Sequence, residues 1–211
     1  MRQINWDELP GLAEKAPEIA GGKKTALAVG VFDGLHRGHQ ALIAKIIEKA
    51  PELLPVVVTF RENPKRSAFI REQSRPDFSK ERGISEDIIS FEEKTALLDS
   101  LGVPLCVIID FSEHFSKIKG RLFLETLNRY LCPAYIALGA NFHCGYHRDT
   151  GAGAFKKLAE GLGIRAEIIP PVMEGGLPVS SSRIRRALQA GRIEEAALLL
   201  GRPGPNSFNR F

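Results

Sequence analysis

The chain is poor in cysteine. Its 211 residues include three, Cys106, Cys132 and Cys144, which are odd in number and widely spaced. This pattern argues against the disulfide framework of a small secreted protein and favours reduced thiols in the cytoplasm. His143 and His147 lie near Cys144, but the sequence offers no fourth ligand close by, so we predict no zinc site.

Long hydrophobic runs and a large excess of one charge are also missing. No apolar stretch reaches the ~20 residues of a membrane-spanning helix, and segment 1–22 is acidic and has no continuous apolar core, which excludes a secretion signal. The net charge of +4 suits a polyphosphate ligand but, without a binding motif, does not predict nucleic acid as a partner. With 44% apolar residues, we expect one cytoplasmic domain with a substantial core, bound neither to membrane nor to nucleic acid.

Strand-like and helical segments alternate along the chain. The strand candidates are 26–31, 54–60, 105–111, 135–139 and 166–170, and the helix candidates are 39–50, 90–101, 120–131, 151–162, 180–190 and 193–200. Most strand candidates are apolar on both faces, as a covered parallel sheet requires. The pattern predicts an α/β fold with an open, doubly wound parallel sheet of about five strands. Ligands of such sheets bind beyond the carboxyl ends of the strands.

The junction after the first predicted strand, residues 30–39 (GVFDGLHRGH), is the first candidate phosphate site. Gly30 and Gly34 would let the backbone approach a ligand closely, and the helix that follows offers N–H groups and the positive end of its dipole. His36 and His39, three residues apart, project from the same face. Two such imidazoles can stabilise charge on a phosphoryl group. The alternative is a tight turn with two surface histidines.

A second candidate phosphate site lies at residues 179–185 (VSSSRIR). Its serines can cap the next helix, and Arg185, three residues after Ser182, faces the same way as that hydroxyl. Together, Ser182 and Arg185 would form an anion clamp suited to the pyrophosphate end of a nucleotide. The alternative is simple capping of an arginine-rich helix.

These two segments resemble the signatures His-x-Gly-His and Ile-Ser-Ser-Thr-x-x-Arg of the nucleotidylyltransferase superfamily. Val179 and Ser182 stand for the isoleucine and the threonine. The flanks of the first segment are similar to those of FAD synthetases, the FMN adenylyltransferase half of bacterial riboflavin kinase/FAD synthetases. The resemblance covers about 25–203. It implies a Rossmann-like nucleotidylyltransferase fold and transfer of AMP from ATP to FMN, giving FAD and pyrophosphate, with Mg²⁺ accompanying ATP.

The resemblance also implies a role for individual residues. The expected catalytic residues are His36, His39, Ser182 and Arg185. The expected ATP-binding residues are Gly30, Phe32, Asp33, Gly34, His36, His39, Gly139, Ser181, Ser182 and Arg185. The expected flavin-binding residues are Thr59, Phe60, Asn63, Asn141 and Phe142. The resemblance places no protein ligand for the metal.

The flavin-binding segments depart from the family pattern. Residues 59–64 (TFRENP) have Glu62 and Asn63 where the family has proline and histidine in T-F-x-P-H-P. Residues 138–145 (LGANFHCG) are similar to V-G-x-D-F-R-F-G, with Asn141, His143 and Cys144 at the changed positions. Two alternatives therefore stay open: another small-molecule adenylyltransferase of the superfamily, and a non-catalytic homologue that binds ATP or a flavin.

The same resemblance implies the domain organisation. Residues 1–203 would form the nucleotidylyltransferase domain. Its long basic segment at 61–87 would be a flap over the flavin nucleotide, or else a solvated loop. Residues 200–203 (LGRP) resemble the linker into the riboflavin kinase domain of the bifunctional enzymes. We expect 204–211 to be a tail and the riboflavin kinase domain to be absent from this chain.

Overall fold

The computed structural model of the protein describes residues 1–11, 22–64 and 87–204. Within them the strands are β1 Arg2–Asn5, β2 Thr25–Val29, β3 Leu54–Phe60, β4 Leu105–Ile109, β5 Pro133–Gly139, β6 His143–Cys144, β7 Thr150–Gly151, β8 Arg165–Ile169, β9 Met173–Glu174 and β10 Leu177–Pro178. The α-helices are α1 Arg37–Ile47, α2 Phe91–Ser100, α3 Glu113–Ser116, α4 Gly120–Leu131, α5 Ala152–Gly161, α6 Ser181–Gln189 and α7 Ile193–Leu200. Short 3₁₀ turns lie at Trp6–Glu8, Asp33–Leu35 and Tyr146–Arg148.

In this part of the chain, six strands form one parallel sheet in the order β1-β4-β3-β2-β5-β8. The chain winds outward from β2 through β3 to β4, and in the other direction from β5 to β8. The winding direction therefore reverses between β2 and β5, where Gly30 follows one strand and Gly139 ends the other. A reversal of this kind opens a crevice that open α/β sheets use for ligands.

The doubly wound parallel sheet predicted from the sequence is confirmed, with one strand more than the five candidates. The added strand, β1, pairs with β4 at the edge of the sheet. The five candidate strands and the helices match the structure to within about two residues at most of their ends. The largest shift is in α1, which begins at Arg37 rather than 39 and ends at Ile47 rather than 50.

Helices cover both faces of the sheet because each presents an apolar stripe at helical spacing. On one face, α1, α2, α6 and α7 pack over a core that includes Leu42, Ile46 and Ile184. On the other face, α4 and α5 pack over a core that includes Phe123 and Phe155. We call these the α1 face and the α4 face.

The predicted flap at 61–87 lies outside the described residues except at 61–64 and 87, and so does the predicted tail from 205 onward. Among the described helices, none combines the length and the apolar character needed to cross a bilayer.

Candidate active site

The first candidate phosphate site is an irregular loop between β2 and α1. We call residues 30–36 the strand-to-helix loop. Phe32, Gly34 and Leu35 have φ of +52°, +79° and +41°, a region that residues other than glycine rarely adopt. A Cβ on Gly34 would lie 3.1 Å from the Ile88 side chain, and one on Gly30 would lie 3.1 Å from the Phe32 ring. Positive φ at two residues other than glycine is unfavourable, so surrounding contacts must hold this loop.

Side chains from distant parts of the chain provide those contacts by donating to the loop carbonyls. The Val31 carbonyl accepts from Thr59 Oγ1 at 3.1 Å and from Lys94 Nζ at 3.4 Å. The Asp33 carbonyl accepts from Ser181 Oγ at 2.9 Å. A loop without a strand partner must satisfy its carbonyls in some other way, and here side chains do it.

The last part of the loop is held in the same manner. The Gly34 carbonyl accepts from Arg202 Nη2 at 2.7 Å, and the Leu35 carbonyl accepts from Arg202 Nη1 at 3.2 Å. Gln40 Nε2 also donates to the Leu35 carbonyl, at 2.9 Å. These bonds fix the backbone immediately before His36.

His36 and His39 form a stacked pair at the start of α1. Their ring centroids are 3.6 Å apart and the rings are 16° from parallel. His36 is the N-cap of the helix, and its Nδ1 accepts a hydrogen bond from the His39 backbone N–H at 3.3 Å. A Cβ on Gly38 would lie 3.1 Å from the His36 ring. The glycine between the two histidines therefore gives the capping imidazole the space it occupies.

Both histidines are held in the neutral form. Burial, assisted by the charge of Arg202, lowers the pKa of His36 to about 4. Burial, followed by the influence of His36 and of Lys94, lowers the pKa of His39 well below its usual value. Because His36 Nδ1 accepts a hydrogen bond, its proton is on Nε2. His39 Nδ1 is buried and has no hydrogen-bond partner among the described residues.

The second candidate phosphate site lies beside the first. Ser180 caps α6 by accepting from the Arg183 N–H at 3.3 Å, and Ser181 donates to the Asp33 carbonyl. Arg185 donates to the Asp33 carboxylate. The structure therefore brings the two candidate sites together through Asp33. Ser182 does not take part in these contacts and is exposed in the first turn of α6.

Among the described residues, the Asp33 carboxylate accepts hydrogen bonds from two partners. Besides Arg185, it accepts from the Ile88 backbone N–H at 2.8 Å. Burial raises its pKa, and the charge of Arg185 opposes that effect. The contacts of Asp33 are those of a residue that orients Arg185, while its predicted contact with ATP stays a prediction.

The residues predicted to bind the flavin are more dispersed. Thr59 is fully buried and its hydroxyl is directed to the Val31 carbonyl. The Phe60 ring packs edge-on against Phe111 and Phe115, and Asn63 is buried at the end of the described segment. These residues lie at and beyond the carboxyl end of β3, which borders the predicted crevice.

The other two predicted flavin residues follow β5. Asn141 is exposed, and the partly buried Phe142 ring packs edge-on against Phe155 at 5.1 Å, against the core of the α4 face. Phe32, which contacts the His39 ring at 5.3 Å, belongs to the core of the α1 face. The structure thus places Phe142 across the sheet from the histidine pair. A Cβ on Gly139, the last residue of β5, would meet nothing within 4 Å.

Close packing against Asp149 explains why residue 145, in the same segment, is a glycine. Asp149 Oδ1 accepts from the Gly120 N–H at 3.1 Å and from the Thr150 hydroxyl at 2.8 Å. A Cβ on Gly145 would overlap the Asp149 carboxylate. This glycine allows the carboxylate to cap the N-terminus of α4.

Sequence reasoning missed Lys94, on α2. Its side chain is buried, and its Nζ donates to the Phe60 carbonyl at 2.6 Å as well as to the Val31 carbonyl. Burial lowers the pKa of Lys94, while Asp87 and Asp33 oppose this. The lysine therefore connects the backbone at the carboxyl ends of β2 and β3. The sequence did contain a signal for this residue. Lys94 precedes Leu97 and Leu98 by three and four residues, and this spacing assigns Lys94 to the inward face of the helix.

Comparison with known proteins identifies the family. A family model described as FAD synthetase matches residues 19–183. The chain belongs to the FAD synthetase family. The bifunctional riboflavin kinase/FMN adenylyltransferase of Bacillus subtilis is 30% identical over 185 residues, which cover 85% of this chain and 54% of that protein. The protein of the same name from Pseudomonas fluorescens is 31% identical over 196 residues, which cover 92% of this chain and 58% of that protein. This FAD synthetase-family chain thus spans little more than half the length of these relatives.

Solved structures agree with the fold of this family member. The crystal structure of a macrolide-efflux protein from Streptococcus pneumoniae superposes with a TM-score of 0.75 at 25% identity, covering 96% of this chain and 62% of that one. A pantoate-beta-alanine ligase from Francisella tularensis, complexed with beta-gamma ATP and beta-alanine, superposes with a TM-score of 0.54 at 14% identity, covering 95% and 85%. The second likeness concerns the fold alone.

Proposed function

We propose that this chain is an FMN adenylyltransferase, which transfers AMP from ATP to FMN and releases pyrophosphate. The observation that carries the proposal is the neutral, stacked pair His36 and His39 at the N-terminus of α1, beside the reversal between β2 and β5. Family membership supports the same reaction. The altered flavin segments leave the choice of acceptor as the part that most needs a test.

The reaction requires no group from the protein to be consumed. An oxygen of the FMN phosphate forms a bond to the α-phosphorus of ATP. The bond from that phosphorus to the bridging oxygen breaks, and pyrophosphate leaves with the electron pair. A phosphate oxygen is already a competent nucleophile at neutral pH, so no general base and no covalent enzyme intermediate are needed. The contribution of the protein is to position the reactants and to stabilise charge.

The histidine pair suits that contribution. Neutral imidazoles donate N–H groups without the desolvation penalty that a buried cation would carry. His36, with its proton on Nε2, directs a donor away from the helix that its Nδ1 caps. The N–H groups of Arg37 and Gly38 in the first turn have no partner within the helix and add the positive end of the helix dipole. We assign His36 and His39 to the α-phosphoryl oxygens and the bridging oxygen.

The start of α6 would hold the rest of the triphosphate. Ser181 and Arg185 already contact Asp33 next to the histidine pair, and Ser182 is exposed one residue further along. An arginine fork matches phosphate oxygens, so we assign Ser181, Ser182 and Arg185 to the β- and γ-phosphates. Asp33 would keep the guanidinium oriented between turnovers.

The metal enters the proposal as part of the substrate, Mg·ATP. Within the described residues, no group of three histidine, cysteine, aspartate or glutamate side chains could hold a metal ion. Mg²⁺ in nucleotide sites is bound largely by substrate phosphates and water. We therefore assign no protein ligand to Mg²⁺. The three cysteines are free thiols, which supports a reducing, cytoplasmic setting for the reaction.

The deciding experiment incubates the chain with Mg·ATP and FMN and follows FAD by chromatography and pyrophosphate by a coupled assay. We expect equimolar FAD and pyrophosphate. Phosphopantetheine and nicotinate mononucleotide are tested as competing acceptors, since either would identify another adenylyltransferase. Riboflavin serves as the matched control because it lacks the nucleophilic phosphate. Binding of ATP and FMN without turnover would identify a non-catalytic homologue.

A further inference from the structure

Arg202 lies two residues beyond the end of α7, yet its guanidinium reaches the strand-to-helix loop. Its two terminal nitrogens donate separately to the carbonyls of Gly34 and Leu35, at 2.7 Å and 3.2 Å. These two residues directly precede His36, and both have positive φ. One side chain therefore holds two consecutive peptide groups in the part of the loop that presents the capping histidine.

The backbone around Arg202 is itself fixed against α1. Gly201 adopts φ +71° as the cap of α7, and its N–H donates to the Ala197 carbonyl at 2.8 Å. A Cβ on Gly201 would lie 2.9 Å from Cγ of Arg37, in the first turn of α1. Gln40 Nε2 bridges the Leu35 and Leu200 carbonyls at 2.9 Å and 2.8 Å. The end of α7 and the start of α1 thus form one packed unit.

We propose that Arg202 is a positioning residue for the histidine pair, acting on adenylyl transfer through the Gly34 and Leu35 carbonyls and not by contact with substrate. Only one part of this proposal, the effect of Arg202 on the rate of FAD formation, rests on the proposed function. The two carbonyls accept from separate nitrogens of one planar guanidinium. The donors of a lysine all leave one flexibly attached nitrogen, so we expect a lysine to hold the two peptide groups less firmly.

The charge of Arg202 adds a second effect that can be measured without turnover. Its positive charge, after burial, contributes to the low pKa of His36. The other titratable groups around the pair are His39, stacked on His36, and Lys94, which acts on His39. Removing the Arg202 charge should raise the pKa of His36, whereas replacing it with another cation should not.

The experiment uses Arg202→Met, Arg202→Lys and, as matched control, Arg192→Met at the other end of α7. Arg192 is exposed and pairs with Glu195. We expect kcat for FAD formation to fall about tenfold to a hundredfold in both Arg202 variants, since both lose the fork, with KM for ATP and FMN changed less than about twofold. The control should match the wild type.

The second readout is the titration of His36, followed by NMR in each folded variant. We expect its pKa to rise in Arg202→Met and to stay low in Arg202→Lys. Wild-type kcat in both Arg202 variants, a rise in KM at constant kcat, or an unchanged His36 titration in Arg202→Met would each overturn the proposal. If Arg202→Met does not fold, Arg202→Lys decides through its kcat. A wild-type chain without turnover would refute the proposed function instead, and the His36 titration would still test Arg202.

Discussion

Replacing Gly38 with alanine tests the geometry of the histidine pair without removing any functional group. A Cβ at this position would lie 3.1 Å from His36 Cε1 and 3.2 Å from Nδ1, closer than the 3.4–4 Å of ordinary contacts. The ring has little room to retreat, because it is stacked on His39 with centroids 3.6 Å apart and its Nδ1 caps the helix. The imidazole must therefore shift by a few tenths of an ångström or rotate out of the stack.

The effect on stability should be small, since two contributions oppose each other. Alanine in a helix is favoured over glycine by up to about 1 kcal/mol, and pushing the His36 ring costs a comparable amount. A difference of 1 kcal/mol moves Tm by about 2–4 °C in a protein of this size. Activity should respond more strongly, because a displacement of about 1 Å at a catalytic group can reduce the rate about 10²-fold. We expect kcat to fall about tenfold and Tm to change by less than about 4 °C.

The matched control is Gly153→Ala. Gly153 is the second residue of α5, as Gly38 is the second residue of α1, and a Cβ there would meet nothing within 4 Å. It should keep wild-type kcat and gain a little in Tm. Steady-state FAD formation and thermal melting of both variants give the comparison. A Gly38→Ala enzyme as active as Gly153→Ala would refute the idea that the His36 ring requires a glycine here.

Three further predictions use the same assay or a simple titration. His36→Ala and His39→Ala should each lower kcat about 10²–10³-fold with FMN binding nearly unchanged, whereas His114→Ala, at an exposed position on α3, should not; equal activity in all three would exclude the pair from the mechanism. Arg185→Ala should raise KM for ATP and weaken pyrophosphate binding, and a loss confined to FMN affinity would reverse our assignment of the two substrates. The pKa of His36 falls from 6.5 to about 4 on folding. As the pH is lowered, His36 is therefore protonated at a higher pH in the unfolded chain than in the folded chain. Stability should therefore fall by about 3 kcal/mol as the pH drops from 6.5 through 4; urea titrations should show a weaker pH dependence in His36→Gln, and the same slope in both proteins would contradict this origin.

The sheet was predictable because apolar, doubly covered strands carry a strong signal. Edge strand β1 carried none: of its four residues only Ile4 is buried, and Arg2 and Gln3 are exposed. Its place is determined by pairing with β4, with Arg2 opposite Leu105. A contact across so much of the chain leaves no periodicity in a segment this short.

The start of α1 shows a different limit of sequence-based prediction, which concerns where a helix begins. The usual N-cap residues are serine, threonine, aspartate and asparagine, and none stands at position 36, so the helix was predicted to begin two residues late. Here an imidazole nitrogen takes the role of the capping oxygen. Burial lowers the pKa of His36 and so keeps the capping nitrogen unprotonated, and this burial is a property of the fold and not of the local sequence.

The hydrogen bonds that hold the loop could be found only from the structure. Lys94 and Arg202 both donate to carbonyls of the loop, from α2 and from the end of α7. A hydrogen bond to a backbone carbonyl demands no particular residue at the accepting position, so the sequence of the loop gives no indication of its donors. The family and the fold predicted from the sequence are confirmed, while the individual roles in catalysis and in ATP and flavin binding stay predictions.

The contacts of Asp33 give a physical reason for the joint presence of the two sequence signatures. Ser181 donates to its carbonyl and Arg185 to its carboxylate, across about 150 residues of chain. The second signature therefore holds the backbone that orients the histidines of the first, in addition to any contact that it makes with phosphate. We expect a change at Ser181 to disturb the loop before ATP binds, and a change at Asp33 to remove one hydrogen-bond partner of the Arg185 guanidinium. Because these hydrogen bonds join the two segments at Asp33, we expect a change in either segment to affect the geometry of the other.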